Sequence, residues 1–309
     1  MSVARTGRAS VVPEHFAQMI EIREGEAGEA WVADLPAKVA ELNERWSLRV
    51  DGETRYGYVG IVVPVVGADG EPAALKLSYP DLEGAGEAPA LAAWGGDGSV
   101  RLLARDEAGF ALLVEWLDPD RSLFGVPVDE GVAEIGRLLA RLHRHRAPEG
   151  VASLRTASEE LLRTVPDDWA AYCGDLDRRL LEAAISTWRE LGPYADDRLL
   201  HGDLHYGNVL AGTREPWLVI DPKGVAGDPA YDVIPAIWNR LDALLATTQP
   251  QVAVRRRVDA LCEAAGIDRG MAYRWTLARA VANLMWQLRT GHEGPGGEIL
   301  IAEALLPLC

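Results

Sequence analysis

Apolar residues recur at helical spacing over residues 13–46, where positions such as Val32 and Leu42 mark one face. Beyond them, the chain changes to short runs of strand character at 47–51, 56–66, 73–78, 100–105 and 110–117. A glycine- and proline-containing turn before residue 73 indicates a hairpin, and a short helical pattern at 86–94 interrupts the strands. The pattern predicts a five-stranded antiparallel sheet with one inserted helix, preceded by a helical extension.

Helical periodicity dominates the rest of the chain. The predicted helices include 132–146, 175–191, 229–246, 252–265 and 271–289. Strand signals in this half are limited to a hairpin at 209–220. The expected fold is therefore α+β and bilobal, with a small antiparallel-sheet lobe over 1–117 and a larger, mainly helical lobe over 118–309.

Composition narrows the possible partners. The 309 residues suffice for two domains with separate cores, and no apolar run reaches the length of a membrane span. The net charge is −16, from 47 acidic and 31 basic residues. Nucleic acid and anionic membranes are therefore not expected partners. A cationic small molecule would be attracted, although the same charge also serves solubility.

The three cysteines, Cys173, Cys262 and Cys309, are isolated in sequence and odd in number. This spacing favours neither a disulfide framework nor a zinc cluster, so a reducing cytoplasm is the expected compartment. No hydrophobic segment of a signal peptide follows the first residues. The sequence leaves the oligomeric state open, with a monomer as the simplest case.

The most informative segment is HGDLHYGN at 201–208, followed by Asp221. The predicted hairpin between them would bring Asn208 and Asp221 to its open end, with Asp203 on the loop that leads in. Asp203 is the candidate base for the acceptor hydroxyl, and Asn208 and Asp221 are candidate Mg²⁺ ligands for bound ATP. A polar loop is the simpler alternative, but it does not account for the spacing and the hairpin together.

Other polar residues near this segment have more modest expected roles. For His201 we expect hydrogen bonds to the backbone of the loop, and for His205 a place in the loop scaffold or at the surface. Asp228 precedes Pro229 and is the expected N-cap of a helix, with a second possible role in bracing the catalytic loop. His143 and His145 lie two residues apart and make a poor metal pair.

Lys76 stands among apolar residues on a predicted strand, where a charge needs a partner. We expect it to contact ATP phosphates and to pair with Glu87, or alternatively Glu83; a solvent-facing strand lysine is the simpler reading. The apolar run 112–117 ends the sheet-rich half. Its backbone around Glu115 and Leu117 is the candidate contact for the adenine edge.

Seven segments together resemble the aminoglycoside phosphotransferase family, in particular its streptomycin 6-phosphotransferase and hydroxyurea phosphotransferase branch. They are WVADLP at 31–36, ALKL at 74–77, AWGG at 93–96, VRLL at 100–103, LLHGDLH at 199–205, GNVL at 207–210 and EPWLVIDPKG at 215–224. The resemblance covers nearly the whole chain. It implies a protein-kinase-like fold with Asp203 as base, Asn208 and Asp221 as metal ligands, and Lys76 on the ATP phosphates.

The chain departs from the protein-kinase pattern in ways that argue against a protein substrate. Gly202 replaces the arginine of H-R-D, and Pro222-Lys223 replaces F-G, so the usual activation-loop switch is not expected. No complete G-x-G-x-x-G precedes Lys76. Such departures are typical of small-molecule kinases.

The resulting hypothesis is an ATP- and Mg²⁺-dependent O-phosphotransferase that inactivates streptomycin at its 6-hydroxyl. Acids drawn from Asp203, Asp228, Asp232 and unassigned residues would meet the cations of the drug. A neutral acceptor such as hydroxyurea is the first alternative. A nucleotide-binding module without transfer activity is the second, and the joint presence of Asp203, Asn208, Asp221 and Lys76 argues against it.

Overall fold

The computed structural model describes residues 11–81, 84–195, 197–291 and 296–309. Its α-helices are α1 Glu14–Glu24, α2 Glu26–Arg45, α3 Glu87–Trp94, α4 Val128–Leu142, α5 Leu154–Tyr172, α6 Arg178–Leu191, α7 Pro235–Trp238, α8 Leu241–Leu245, α9 Pro250–Ala265, α10 Arg269–Thr290 and α11 Gly296–Leu305. Its strands are β1 Arg49–Val50, β2 Arg55–Tyr56, β3 Gly60–Val66, β4 Pro72–Ser78, β5 Leu102–Arg105, β6 Ala111–Glu115, β7 Asp118–Ser122, β8 Ala152–Ser153, β9 Arg198–Leu200, β10 Val209–Ala211, β11 Leu218–Val219 and β12 Val225–Gly227. Short 3₁₀ turns occur at Gly84–Gly86, Leu123–Gly125, Gly192–Tyr194, Tyr206–Asn208, Pro229–Val233 and Leu306–Leu308.

The described residues form two compact units. The sheet unit comprises the residues up to 88 together with 100–116, and the helical unit comprises 89–99 together with 117–309. The segment 89–99 thus belongs with the helical unit, although the sequence assigned it to the first lobe. Helix α3 begins in the sheet unit and continues in the helical unit.

The sheet unit is built on an antiparallel sheet of order β1-β3-β4-β6-β5, with β2 also pairing β3. It therefore has six strands rather than the predicted five. The difference lies in 56–66, which was predicted as one strand. A turn from Gly57 to Gly60 divides this range, so that Tyr56 on β2 pairs with Ile61 on β3.

The core of this unit lies on one face of the sheet. Buried side chains of α1 and α2 pack there against alternate residues of the central strands: Phe16, Ile20, Leu35, Val39, Leu42, Ile61, Val63, Val65, Leu75 and Leu77. Because successive side chains of a strand point to opposite faces, Lys76 is directed away from this core. The helical extension itself is two helices, not one, since Gly25 takes a positive φ of 62° between α1 and α2.

The helical unit contains two small three-stranded sheets, of order β11-β10-β7 and β8-β12-β9. The prediction that the 209–220 hairpin holds the only strands of this half is therefore wrong. The missed strands are two to five residues long, and β7 has the polar sequence DPDRS. Strands this short do not show an apolar alternation that a sequence pattern could reveal.

Helix α10 is central to the helical unit and packs against α5, α6, α9 and α11. The predicted helix 229–246 is instead divided into the 3₁₀ turn Pro229–Val233, α7 and α8. Pro235 begins α7, and Arg240, with a φ of 143°, separates α7 from α8. Helices α5 and α11 are additional to the five helical ranges named from the sequence. Within the described residues, no helix is both long and apolar enough to cross a membrane.

Candidate active site

The predicted hairpin is formed by β10 and β11, with Val209 paired to Val219. The ladder continues outward, because the Ile220 N–H donates to the Asn208 carbonyl over 2.9 Å. Asn208 and Asp221 therefore lie at the same open end of the hairpin. This is the arrangement that the spacing predicted for the backbone.

Asn208 is buried, and its side-chain amide nitrogen donates to the Asp203 carbonyl over 2.9 Å. This bond joins the two ends of the loop that begins at Asp203. Because the nitrogen is the donor within the protein, the amide oxygen remains the acceptor that a cation can use. An amide oxygen and a carboxylate oxygen are the hard ligands that Mg²⁺ prefers.

Asp221 has a φ of 61°, in the left-handed region that non-glycine residues seldom adopt. Aspartate tolerates this conformation better than most residues. Backbone strain of this kind collects at functional sites. In the described chain, no group of three or more His, Cys, Asp or Glu side chains is arranged to hold a metal. Mg²⁺ in nucleotide sites is usually held by one or two protein oxygens together with phosphate and water, and Asn208 and Asp221 could supply such a pair of oxygens.

Asp203 has a side chain that is 30% exposed, so its carboxylate is accessible. The residue before it, Gly202, has a φ of 84°, and a Cβ there would lie 2.9 Å from the Lys223 Cβ. Neither the conformation nor the space admits an arginine side chain. This explains why the chain has glycine where protein kinases have the arginine of H-R-D.

Gly202 is held from both sides by charged groups. Its N–H donates to Asp232 Oδ1 over 2.8 Å, and its carbonyl accepts from Arg279 Nη2. The N–H of His201 donates to the other oxygen of Asp232, also over 2.8 Å. The peptide groups that lead into Asp203 are therefore fixed by a carboxylate on the N–H side and a guanidinium on the carbonyl side.

His201 is fully buried, its ring stacks on that of Trp94 at 6.2 Å, and its ring nitrogens bond to backbone groups of this region. Its Nε2 lies 3.0 Å from the Ile220 carbonyl, and its Nδ1 accepts from the Asp203 N–H over 3.2 Å. Burial lowers the pKa of His201, so the ring is neutral and donates through Nε2. The geometry agrees with the expected backbone role. His205 accepts from the Gly207 N–H over 3.0 Å and is part of the loop scaffold.

The position of Asp232 contradicts the expectation that this residue contacts a cation of the substrate. Its side chain is 0% exposed and also lies 2.9 Å from His143 Nε2. Burial alone would raise its pKa, but the hydrogen bond with His143 and the loop N–H groups hold the pKa below its usual value. A carboxylate so enclosed cannot reach a ligand, so that part of the hypothesis is wrong.

Asp228 is the N-cap that the sequence predicted, because it accepts from the Ala230 N–H over 2.8 Å. The second role considered for it, bracing the catalytic loop, is filled by Asp232 instead. His143 and His145 contact separate carboxylates, those of Asp232 and Asp97.

In the sheet unit, Lys76 and Glu87 form an ion pair. Lys76 Nζ lies 2.6 Å and 2.7 Å from the two carboxylate oxygens of Glu87. The side chains are 15% and 7% exposed. Glu83, the alternative partner, lies outside the described residues.

The two residues expected at the adenine edge differ in what they can offer. The Glu115 N–H donates to the Arg101 carbonyl over 3.0 Å, and the Glu115 side chain accepts from the Arg101 N–H. The amide of Glu115 therefore already has a partner within the sheet unit. Leu117 is buried and lies just before β7.

Arg279 is the clearest functional candidate that the sequence did not reveal. Besides its bond to Gly202, it donates to the Tyr231 carbonyl over 3.3 Å. Its guanidinium lies over the Tyr231 ring at 4.3 Å and the Trp238 ring at 5.3 Å. Such contacts favour a fixed cation. Arg279 lies on α10, far along the chain, and no motif links it to the loop.

Comparison with solved structures defines the class of fold. The chain superposes on a macrolide 2′-phosphotransferase from Brachybacterium faecium with a TM-score of 0.53 at 19% identity, covering 88% of this chain and 98% of the other. The α+β, kinase-like fold class is thereby confirmed, and the fold is that of small-molecule phosphotransferases.

Sequence comparison defines the family. A family described as aminoglycoside/hydroxyurea antibiotic resistance kinase matches residues 45–291. The chain is 44% identical to a hydroxyurea phosphotransferase of Kitasatospora aureofaciens, covering 97% of this chain and 88% of that protein. It is 43% identical to a streptomycin 6-kinase of Streptomyces griseus, covering 95% and 96%. The chain belongs to the aminoglycoside/hydroxyurea antibiotic resistance kinase family and is a small-molecule kinase.

Proposed function

We propose that the protein transfers the γ-phosphoryl group of ATP to the 6-hydroxyl of streptomycin and thereby inactivates the antibiotic. The observation that carries this proposal is the arrangement of the catalytic loop. Asn208 is hydrogen-bonded to Asp203 within this loop, and Asp221 lies at the same end of the hairpin as Asn208. In this proposal the lobe 1–117 binds the nucleotide, and the lobe 118–309 carries the catalytic loop and the acceptor site.

Asp203 is the proposed general base. Its accessible carboxylate accepts a hydrogen bond from the acceptor hydroxyl and orients the oxygen towards the γ-phosphorus. As the new P–O bond forms and the bond to ADP breaks, the hydroxyl proton passes to Asp203. His201 cannot take this proton, because both of its ring nitrogens are engaged with the backbone.

Asn208 and Asp221 are the proposed ligands of Mg²⁺, through the amide oxygen and the carboxylate. When bound, Mg²⁺ would supply positive charge that offsets the negative charge developing on the phosphoryl group during transfer. The bond from the Asn208 amide to Asp203 keeps the metal ligand and the base in a fixed relation. This coupling supports a shared role for the three residues.

Lys76 is the proposed contact for the ATP phosphates, with Glu87 holding the ammonium group in place. The carbonyl of Glu115 and the amide of Leu117 are the proposed partners of the adenine edge. A backbone contact of this kind imposes no side-chain requirement, so it is compatible with the apolar run that surrounds it.

Streptomycin is preferred over hydroxyurea on grounds of charge. The two relatives are equally similar to the chain, at 43% and 44% identity, so similarity does not separate them. The net charge of −16 favours a polycation that carries guanidinium groups over a neutral acceptor. We place the enzyme in a reducing cytoplasm, where Cys173, Cys262 and Cys309 remain free thiols.

Steady-state kinetics with ATP, Mg²⁺ and each acceptor test the proposal through ADP release. Streptomycin should be turned over, its KM should rise with salt because screening weakens the capture of a cation, and phosphorus NMR should locate the phosphate on the 6-hydroxyl. Hydroxyurea turnover should depend little on salt. Turnover of hydroxyurea alone would favour the alternative acceptor, and no turnover at millimolar streptomycin would refute the proposal.

A further inference from the structure

The helical unit contains a cavity of about 470 Å³ that the residues considered so far do not line. Its walls are the start of α4, the end of α8 with the turn that follows, and α9. Val132, Leu244 and Val252 give it an apolar wall. Volumes of this order are typical of small-molecule sites.

Arg257 lines this cavity and is 8% exposed. Its Nη1 donates to the carbonyls of Ile237 and Arg240, over 3.3 Å and 3.1 Å. Within the described ranges, no carboxylate forms an ion pair with this guanidinium. Buried charges in proteins are normally paired with an opposite charge, so a buried arginine bonded only to carbonyls is unusual.

The charges around Arg257 do not compensate it. Burial lowers its pKa, and Arg240 acts in the same direction, whereas Asp129, Asp242 and the Tyr206 hydroxyl act against this. Both aspartates are exposed. The cavity lining itself carries two arginines, Arg256 and Arg257, against one acid, Asp129. In a protein of net charge −16, this is a local excess of positive charge.

We propose that this cavity binds a small organic anion, whose charged group meets Arg257 and whose apolar part packs against Val132, Leu244 and Val252. A guanidinium presents several N–H donors in one plane, and the carbonyls use only Nη1. The remaining donors suit the oxygens of a phosphate ester or a carboxylate. The site is distinct from the residues proposed for ATP and for the acceptor.

Isothermal titration of the full-length protein with phenyl phosphate tests this proposal, with Mg²⁺ and a non-hydrolysable ATP analogue present to occupy the nucleotide site. The wild type should bind, and Arg257→Met should weaken binding about tenfold or more through loss of the charged hydrogen bonds. Arg255→Met is the matched control, because Arg255 lies on the same helix and donates to the Ala304 carbonyl. It should bind within about twofold of the wild type.

Ala253→Leu provides a second variant should Arg257→Met fail to fold. Ala253 lines the cavity but is not a partner of Arg257, so the larger side chain should reduce binding by occupying volume. The absence of binding to the wild type at millimolar phenyl phosphate would overturn the proposal. So would equal binding by Arg257→Met and Arg255→Met, or unchanged binding by Ala253→Leu.

Discussion

The Lys76–Glu87 pair and the Asp203 loop hold their charged groups in different ways. Lys76 and Glu87 contact each other directly, at 2.6 Å and 2.7 Å. Asp203 keeps an accessible carboxylate, and its supports contact the backbone on either side of it. In the first region the side chain proposed to contact ATP, Lys76, is itself the side chain that is held. In the second, the proposed base, Asp203, and the residues that hold its loop are different.

This difference separates two kinds of substitution. A substitution of Lys76 removes the proposed ATP contact itself, and a substitution of Glu87 removes the group that holds it. A change in Asp232 or Arg279 leaves the carboxylate of Asp203 in place but releases the Gly202 peptide that orients it. Glycine is the residue least able to hold its own conformation, so the loop depends on these external bonds.

Asp203→Asn should have the largest effect on activity. The amide cannot accept the hydroxyl proton, so kcat should fall roughly 10²- to 10⁴-fold, while ATP binding should change little. Stopped-assay kinetics and nucleotide titration measure the two quantities. Retention of near wild-type kcat would remove Asp203 from its proposed role.

Asp232→Asn should have the largest effect on stability. The amide offers one oxygen where the carboxylate serves His143, His201 and Gly202, so unfolding free energy should fall by about 3–5 kcal/mol. Urea denaturation measures it. Asp228→Asn is the matched control, since asparagine also caps a helix well and should change stability by only a few tenths of a kcal/mol. Equal effects in both variants would contradict the bracing role.

Lys76→Met should weaken the binding of ATP. The KM for ATP should rise about tenfold or more, because a charged contact to phosphate is lost. Glu87→Gln should have a smaller effect in the same direction, since the ammonium group remains but is held less firmly. An unchanged KM for ATP in Lys76→Met would show that the lysine serves only the ion pair.

Arg279→Met should lower kcat about tenfold through loss of the charged bond to the Gly202 carbonyl, with the KM for ATP unchanged. Arg279→Lys should be intermediate, because it keeps the charge but not the forked geometry. Arg289→Met is the control, as Arg289 is an exposed residue of the same helix. A parallel loss in the control would assign the effect to the helix rather than to the loop.

The smallest expected effect is that of His201 on the pH dependence of folding stability. His201 is neutral in the folded protein because burial lowers its pKa from 6.5, so the unfolded state binds more protons at lower pH. Stability should be full above about pH 6.5 and should fall below it by up to about 1.4 kcal/mol per pH unit. His201→Asn should flatten this slope in urea titrations, leaving the contribution of His205, whose pKa burial also lowers.

Local patterns predicted the parts of the site that depend on neighbours in sequence. The β10–β11 hairpin followed from turn residues between apolar runs. The Lys76–Glu87 contact joins residues only eleven positions apart. Because successive side chains of a strand point to opposite faces, Lys76, between the buried Leu75 and Leu77, points away from the core of the sheet unit.

The supports of the loop were not predicted, because they come from distant positions. Asp232 lies about thirty residues beyond the backbone groups that it binds, and Arg279 lies 77 residues beyond Gly202. No periodicity or motif encodes such contacts, which arise only when helices pack. The same limitation explains why Asp232 was expected at the substrate and was found in the interior.

The most direct test of the account is whether Asn208 and Asp221 share one metal ion. Mn²⁺ binding in the presence of a non-hydrolysable ATP analogue can be followed by electron paramagnetic resonance in Asn208→Ala, Asp221→Ala and the double variant. Each single variant should weaken Mn²⁺ binding about tenfold or more. The loss of binding free energy in the double variant should be smaller than the sum of the two single losses, because both residues hold the same ion. Wild-type affinity in both single variants would contradict the shared site.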